Sequence, residues 1–470
     1  MSAWQQLERD VLQLAQVIWC SPASQETVNG VKCDCVVKVR PDYWALVEIS
    51  KSSTLEKLRT DLSKFATVKP FLLSQGIYAE CHFVHSSAHP SLAESGKGQN
   101  VEVHSPIDFF SKYLGSAQYL HERKRRPFGS AVDPDSGEMD VSAYVPINYR
   151  TKEGANLTAD EMAAGLCAGK KYILLGEFGS GKSRCLMEIF RKLSDTEYRT
   201  PPVAINLRDN WGYKKFSHIL HNHLDGLGLG DFKDAMVRSC SRGMHPILLD
   251  GFDELGSQSW SGDVVRLSEI RKGSMQGVRD LVKECNSAGL LITGREHFFN
   301  SEQEMLECLG LGLKDIQIVY CPDEFSEQEL RNYISARTAL TEFPSWIPKK
   351  PLICQLLTRI EADALRTLIT SELGEADFFE QVLEEICYRE AKIHPTIFKD
   401  ALKQILLELA TLSRTKASNL GPIGTAEISA IFEKITGSAP IDESAIVLQR
   451  LPYLGRMGSG SADRVFIDEY

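Results

Sequence analysis

Apolar residues recur at Leu7, Val11, Leu14 and Val17–Ile18 along Trp4–Ile18, a spacing that predicts an opening helix. The pattern then alternates. Val31–Val39 and Ala45–Ile49 read as strands joined by a turn at Pro41–Asp42. Helical spacing returns over Thr54–Phe65, with Ser53 or Thr54 as its cap, and Ile77–Val84 reads as another strand. Between about 151 and 325 short apolar runs are separated by helical or polar sequence: Tyr172–Leu175, Pro202–Ile205, Pro246–Leu249, Leu290–Thr293 and Ile316–Tyr320. Runs of this kind fit a parallel sheet buried on both faces. Beyond 325 the spacing is helical at Ser326–Ala336, Pro351–Thr370, Ala376–Lys392, Phe398–Ser413 and Thr425–Thr436. Ser444–Leu451 and a hairpin around Gly458–Ser461 complete the pattern, which as a whole is α/β.

Residues 119–150 interrupt this order with Arg123-Lys124-Arg125-Arg126, Pro127 and the turn-rich Asp133–Gly137, a linker composition. At 470 residues the chain is long enough for about three domains. Lys and Arg number 53 against 63 Asp and Glu, a net charge of −10. That balance excludes an overall basic field for nucleic acid and leaves only a local patch such as 123–126. No apolar run approaches the roughly 18 residues of a membrane helix, and the N-terminus lacks a signal peptide's apolar stretch. The expectation is a cytoplasmic protein with no membrane partner. Twelve cysteines are present, and the one close pair, Cys33-x-Cys35, is not a usual zinc spacing, so they read as buried reduced thiols.

The chemistry concentrates at Gly176-Glu177-Phe178-Gly179-Ser180-Gly181-Lys182-Ser183, which follows a strand and opens a helix at Arg184. Glycines there let backbone N–H groups turn inward as a nest for phosphate oxygens, and the helix N-terminus adds its partial positive charge. Lys182 would reach the β- and γ-phosphates and Ser183 would ligate Mg²⁺. The strand Pro246–Leu249 runs into Asp250, expected to hold Mg²⁺ beside that loop, with Glu254 polarising the attacking water and Asp253 as its neighbour. Leu290–Thr293 ends in Gly294-Arg295, where Arg295 could sense the γ-phosphate or pair with a carboxylate.

Together GEFGSGKS at 176–183, LLDGFDE at 248–254 and LITGR at 291–295 resemble the NACHT group of STAND-class P-loop NTPases. The resemblance covers about 151–470. It implies an NTPase core at 151–325, a helical domain at 326–395 whose Pro351 lies against the nucleotide, and a winged-helix domain at 396–470. The winged-helix histidine of related proteins has no counterpart here. The chain ends in an apolar segment, and the expectation is a truncated last domain in a longer protein. The resemblance further implies a switch, closed with ADP and assembled into a homo-oligomer with ATP, set in bacterial antiphage defence with a phage-derived trigger.

The first 118 residues carry Asp34 on one predicted strand and Glu48 on the next, two carboxylates that could hold a Mg²⁺ for phosphodiester cleavage. Helix, strand with Asp, strand with Glu, helix resembles the PD-(D/E)xK restriction-endonuclease fold, which implies a nuclease-like effector acting on DNA or RNA. Ser50 stands where that motif has lysine. Lys51 through a bulge, or Lys57 from the following helix, are the candidate replacements. The alternatives are a non-catalytic assembly platform whose front domain binds a partner or nucleic acid, and a DNA-stimulated translocase.

Overall fold

The computed structural model describes residues 3–466 apart from 53, 86–90, 134, 135, 137, 140–143, 196–199, 256–263, 336–345, 362, 364–373, 394–396, 441–447, 449, 450 and 457–462. The N-terminal unit opens with helix α1 (Ala3–Trp19), followed by β1 (Ala23–Val28), β2 (Val31–Arg40) and β3 (Tyr43–Ser50). Helix α2 (Leu55–Ser74), β4 (Tyr78–His85), α3 (Ser91–Gly98), β5 (Glu102–His104), α4 (Pro106–Leu114) and α5 (Ser116–Lys124) complete it. The five strands lie in chain order, β1–β3 antiparallel and β3–β5 parallel. Helix α2 runs past the expected Phe65 and absorbs Pro70, because Leu58, Leu62, Phe65, Val68 and Leu72 keep one stripe buried on the sheet. Its cap is Thr54, without a side-chain cap bond.

Simple alternation fails at one place. Ser24 and Glu26 of β1 face Val36 and Cys33 of β2, two residues against three. The bulge lets Cys33 join Val36 and Leu46 in the core under α2, while Cys35 and Val37 pack on the other face. Of the twelve thiols ten are buried, and Cys20 and Cys167 are exposed. Burial pushes the Cys33 and Cys35 thiols up to about 12.

The second sheet has seven strands. Its parallel core is β8 (Lys171–Leu175), β9 (Val203–Asn206), β10 (Ile247–Asp250), β11 (Leu290–Gly294) and β12 (Gln317–Tyr320), with β6 (Tyr149–Thr151) and β7 (Asn156–Leu157) antiparallel on one edge. Each predicted strand appears within about a residue of its expected place. The order is β7-β6-β12-β8-β11-β10-β9. The acidic strand β10 is separated from β8 by β11, yet its end still brings Asp250 close to Ser183 of the loop after β8.

After β12 the described chain is helical: Glu327–Ser335, Pro351–Leu357, Gly374–Ile393, Lys399–Ser413 and Thr425–Thr436. Most of the expected second half of Pro351–Thr370, most of Ser444–Leu451 and the tip of the hairpin lie outside the described residues. The hairpin's arms, Leu454–Arg456 and Arg464–Phe466, do pair antiparallel. No described helix is long and apolar enough to cross a membrane.

The stretch expected as a linker is packed into the core. Tyr119 is buried, its hydroxyl accepts from Ala204 N–H at 2.9 Å, and it lies 3.0 Å from His223 Nε2. Arg123, the first residue of the basic run, is only 2% exposed. It donates to the carbonyls of Ala204, Arg126 and Pro127 and to Asn206 Oδ1, and its guanidinium lies 3.7 Å from the Phe128 ring centre. Lys124, Arg125 and Arg126 remain exposed.

Candidate functional site

One cavity gathers the ends of β8, β10 and β11, the helix that starts at Pro351 and the strap 130–131. Its floor is the turn after β8. Gly179 and Gly181 have φ of +76° and +93°, backbone that side-chain-bearing residues rarely adopt, and this turns the loop's amides toward one concavity. Helix Lys182–Ser194 starts directly from it. The loop is held from both sides. Leu352 N–H donates to Gly179 O at 3.1 Å, and the Cys321 thiol donates to Ser180 O at 2.9 Å. Pro351, at the first position of its helix, sits beside Gly181.

Lys182 lines the cavity and donates from Nζ to the carbonyls of Gly176 and Glu177 at 2.8 and 2.7 Å. Burial lowers its pKa, opposed by Asp253. Glu177 pairs with His297 at 2.6 Å; burial favours its acid form, but His297, Lys182 and Arg295 together outweigh this and hold it below the usual carboxylate range. Two guanidinium groups approach the Phe178 ring, Arg295 at 5.2 Å and Arg389 at 5.9 Å from its centre. Ser180, Ser183 and Arg184 also line the cavity.

Asp250 is buried at the end of β10. Thr293 from the interposed strand donates to its Oδ1 and accepts from Gly251 N–H. Its Oδ2 is enclosed with no hydrogen-bond partner, and burial, reinforced by Glu254, raises its pKa. A buried carboxylate oxygen left open beside the Ser183 hydroxyl suits a hard cation with oxygen ligands. Of the other two acids, Asp253 is engaged: Arg295 N–H donates to Oδ1 at 3.2 Å and Arg295 Nε lies 3.3 Å from Oδ2. Arg295 is thus the carboxylate-paired arginine, yet still lines the cavity. Glu254 Oε2 lies 3.8 Å from Arg208 Nε.

Sequence reasoning missed the strap and two basic residues. A Cβ on Gly129 would stand 1.7 Å from Asp250 Oδ2 and 2.9 Å from Ser183 Oγ, so only glycine fits there, at φ +48°. Arg208 donates to Gly129 O at 3.0 Å, and Arg389 donates to Ser130 O. Ser130 Oγ is 3.4 Å from Ser183 Oγ. Tyr144, Val145, Ile147, Tyr149, Phe325 and Leu352 supply an apolar wall.

The second candidate pair is on the α2 side of the N-terminal sheet. Ile49 N–H donates to Asp34 Oδ2 at 3.0 Å, and Asp34 N–H donates to Glu48 Oε1 at 3.2 Å. Each acid's side chain is thus bonded to the backbone of the strand that carries the other. Lys64 of α2, not Lys57, donates to Glu48 Oε2. Lys57 instead pairs with Asp61 at 2.8 Å, and Asp61 accepts from Ser50 Oγ at 2.7 Å. Lys51 is exposed. Glu48 is only 1% exposed, and its carboxyl is pushed up to about 7 by burial first and by Asp34 second, against the pull of Lys64.

No known family model matches the chain, and no curated protein matches it in sequence. Solved structures with a similar course of the chain include the Orc1 protein of Aeropyrum pernix in complex with DNA. It is 16% identical over 66% of this chain and 88% of its own, at a TM-score of 0.34. AMPPCP-bound DnaA from Aquifex aeolicus is another, 12% identical over 61% of this chain and 80% of its own, at a TM-score of 0.25. With scores this low, neither neighbour assigns a function to the chain.

Proposed function

We propose that the protein is an ATP-dependent switch of the NACHT type that assembles with itself in the ATP state and controls an N-terminal nuclease-like effector. The observation that carries this reading is the left-handed glycine loop opening a helix, with the open Asp250 oxygen next to Ser183. Bound ATP with Mg²⁺ would supply a γ-phosphate to be held or hydrolysed. Lys182 has two carbonyls to leave for phosphate oxygens, which carry full charge and attract its ammonium more strongly. Ser183 and Asp250 would hold the cation. Glu254 would orient water, and Arg295 would exchange part of its pairing with Asp253 for phosphate. The apolar wall from Tyr144 to Tyr149 suits a flat base. Because Arg389 belongs to the helical region and Gly129 to the segment that follows α5, a change at the phosphates would be felt by both.

The test is nucleotide affinity of the full chain. Lys182→Ala should lower ATP affinity at least ~100-fold and abolish ATP-dependent growth in solution mass; unchanged affinity refutes the reading. For the effector, Asp34, Glu48 and Lys64 form the acid–acid–lysine set of a metal-dependent nuclease, with the lysine on the helix instead of the strand. The competing adaptor reading draws on the engagement of both Glu48 oxygens by protein donors. Mg²⁺-dependent cleavage of DNA or RNA by the assembled protein, lost in Asp34→Ala and Glu48→Ala, supports the nuclease, whereas no cleavage by the ATP-bound assembly supports the adaptor. A role in antiphage defence with a phage-derived trigger is part of the proposal and rests on the motif resemblance.

A further inference from the structure

On the face of the N-terminal sheet opposite Glu48, three side chains converge. His82 stands on β4, and Glu102 and His104 stand on β5. Parallel pairing sets His82 beside Glu102 and Val84 beside His104, so alternation sends all three side chains the same way. His82 Nδ1 lies 3.3 Å from His104 Nε2 and 3.6 Å from Glu102 Oε2, and His104 Nε2 lies 3.2 Å from that oxygen. A tetrahedral zinc with bonds of about 2.0–2.1 Å separates its ligand atoms by about 3.3 Å. The triangle therefore has the size of three corners of such a site.

The orientation of His82 fits a ligand. Its Nε2 lies 2.9 Å from Glu80 Oε1, with the Tyr113 hydroxyl farther away at 3.4 Å. A proton on Nε2 satisfies that carboxylate and leaves the Nδ1 lone pair facing Glu102 and His104, the carboxylate–histidine arrangement that orients metal-binding imidazoles. His82 is fully buried against Trp19, Phe109 and Tyr113. Lys112 contacts Glu102 in this structure. Its ammonium balances the carboxylate from a side chain 39% exposed, which can swing into solvent.

We propose that His82, Glu102 and His104 form a zinc-class divalent cation site, with three protein ligands and a fourth position open to water. It is separate from the Asp34–Glu48 pair. The edge strand β5 is only three residues long, and a metal bridging β4 and β5 pins it to the sheet. Helix α4 follows β5 directly, and the turn that ends α4 packs against Phe232, beside the NTPase helix Lys233–Ser241. The cation thus rigidifies the side of the front unit that faces the switch.

The experiment uses the chelator-treated full chain in millimolar Mg²⁺, with zinc measured by equilibrium dialysis and cobalt(II) as a spectroscopic probe. The expected result is one zinc per chain and a four-coordinate cobalt spectrum without a thiolate charge-transfer band. Glu102→Gln and His104→Gln should each weaken zinc at least ~10-fold, as should the positioning variant Glu80→Gln. Lys112→Met and Asp34→Asn should retain it. Because His82 is buried and its replacement could unfold the unit, the more exposed Glu102 and the partly buried His104 decide the matter. No zinc uptake, a thiolate band, or affinity unchanged in both Glu102→Gln and His104→Gln overturns the site.

Discussion

Replacing Glu48 by Gln tests the electrostatics of the front unit without changing its shape. The amide oxygen can still accept from Asp34 N–H, and Lys64, about a third exposed, can turn to solvent. In the folded chain the Glu48 carboxyl is raised from its ordinary 4.5 to about 7. The folded state therefore holds a proton that the unfolded state releases, and stability falls as pH rises between these values. The stabilisation is fully present below pH 4.5 and is lost as pH passes through 7. A displacement of that size corresponds to about 3 kcal/mol. Amide exchange of β3, corrected for intrinsic rates and measured without divalent metal, reads the local opening energy. Wild type should lose roughly 2–3 kcal/mol relative to Glu48→Gln between pH 5 and pH 8, and Mg²⁺ should reduce that loss by favouring the carboxylate. Parallel pH curves for the two proteins would refute the assignment of a buried, proton-holding Glu48.

Three further outcomes concern the cavity and the buried segment 123–129 beside it. Gly129→Ala forces a methyl into Asp250 at a left-handed φ; it should lower stability by about 2 kcal/mol or more in thermal denaturation and weaken Mg²⁺-dependent nucleotide binding more than metal-free binding. Arg123→Ala leaves buried carbonyls unpaired and a void against Phe128, so it should cost about 3–5 kcal/mol by denaturant titration, with exposed Lys124→Ala near zero as its control. Glu254→Gln should slow single-turnover ATP hydrolysis about 100-fold or more while ATP still binds and drives assembly, checked by radiolabelled phosphate release and solution mass.

The parallel core was legible because its strands are short apolar runs buried on both faces, and such runs are bounded sharply by polar residues. Leu290–Thr293 and Pro246–Leu249 could be placed for that reason. Their order could not. Local pattern carries no information on which strand lies between two others, so the insertion of β11 between the strand of the glycine loop and that of Asp250 was invisible. The bulge at Cys33 was also hidden, since it depends on how β1 pairs with β2 and not on the alternation within either strand.

The site residues divide along the same line. Lys182, Ser183 and Asp250 announce themselves because backbone chemistry demands those types at fixed spacing. Lys64 does not, although Lys57, Asp61 and Lys64 fall at i, i+4 and i+7 and so share one helical stripe facing Glu48 and Ser50. The stripe was readable; which of its two lysines reaches Glu48 was not, because that depends on how far along α2 the strand end projects. Residues 119–150 misled for a physical reason. Arg, Pro and Gly are linker residues when solvated, but the same types serve to thread a backbone through a crowded seam. Arg123 satisfies four acceptors at once, Pro127 supplies a carbonyl to it, and Gly129 alone can pass between Asp250 and Ser183. Composition cannot distinguish a chain in water from one whose polar groups are met by protein, and here the second case carries the chain from the front unit to Asp250.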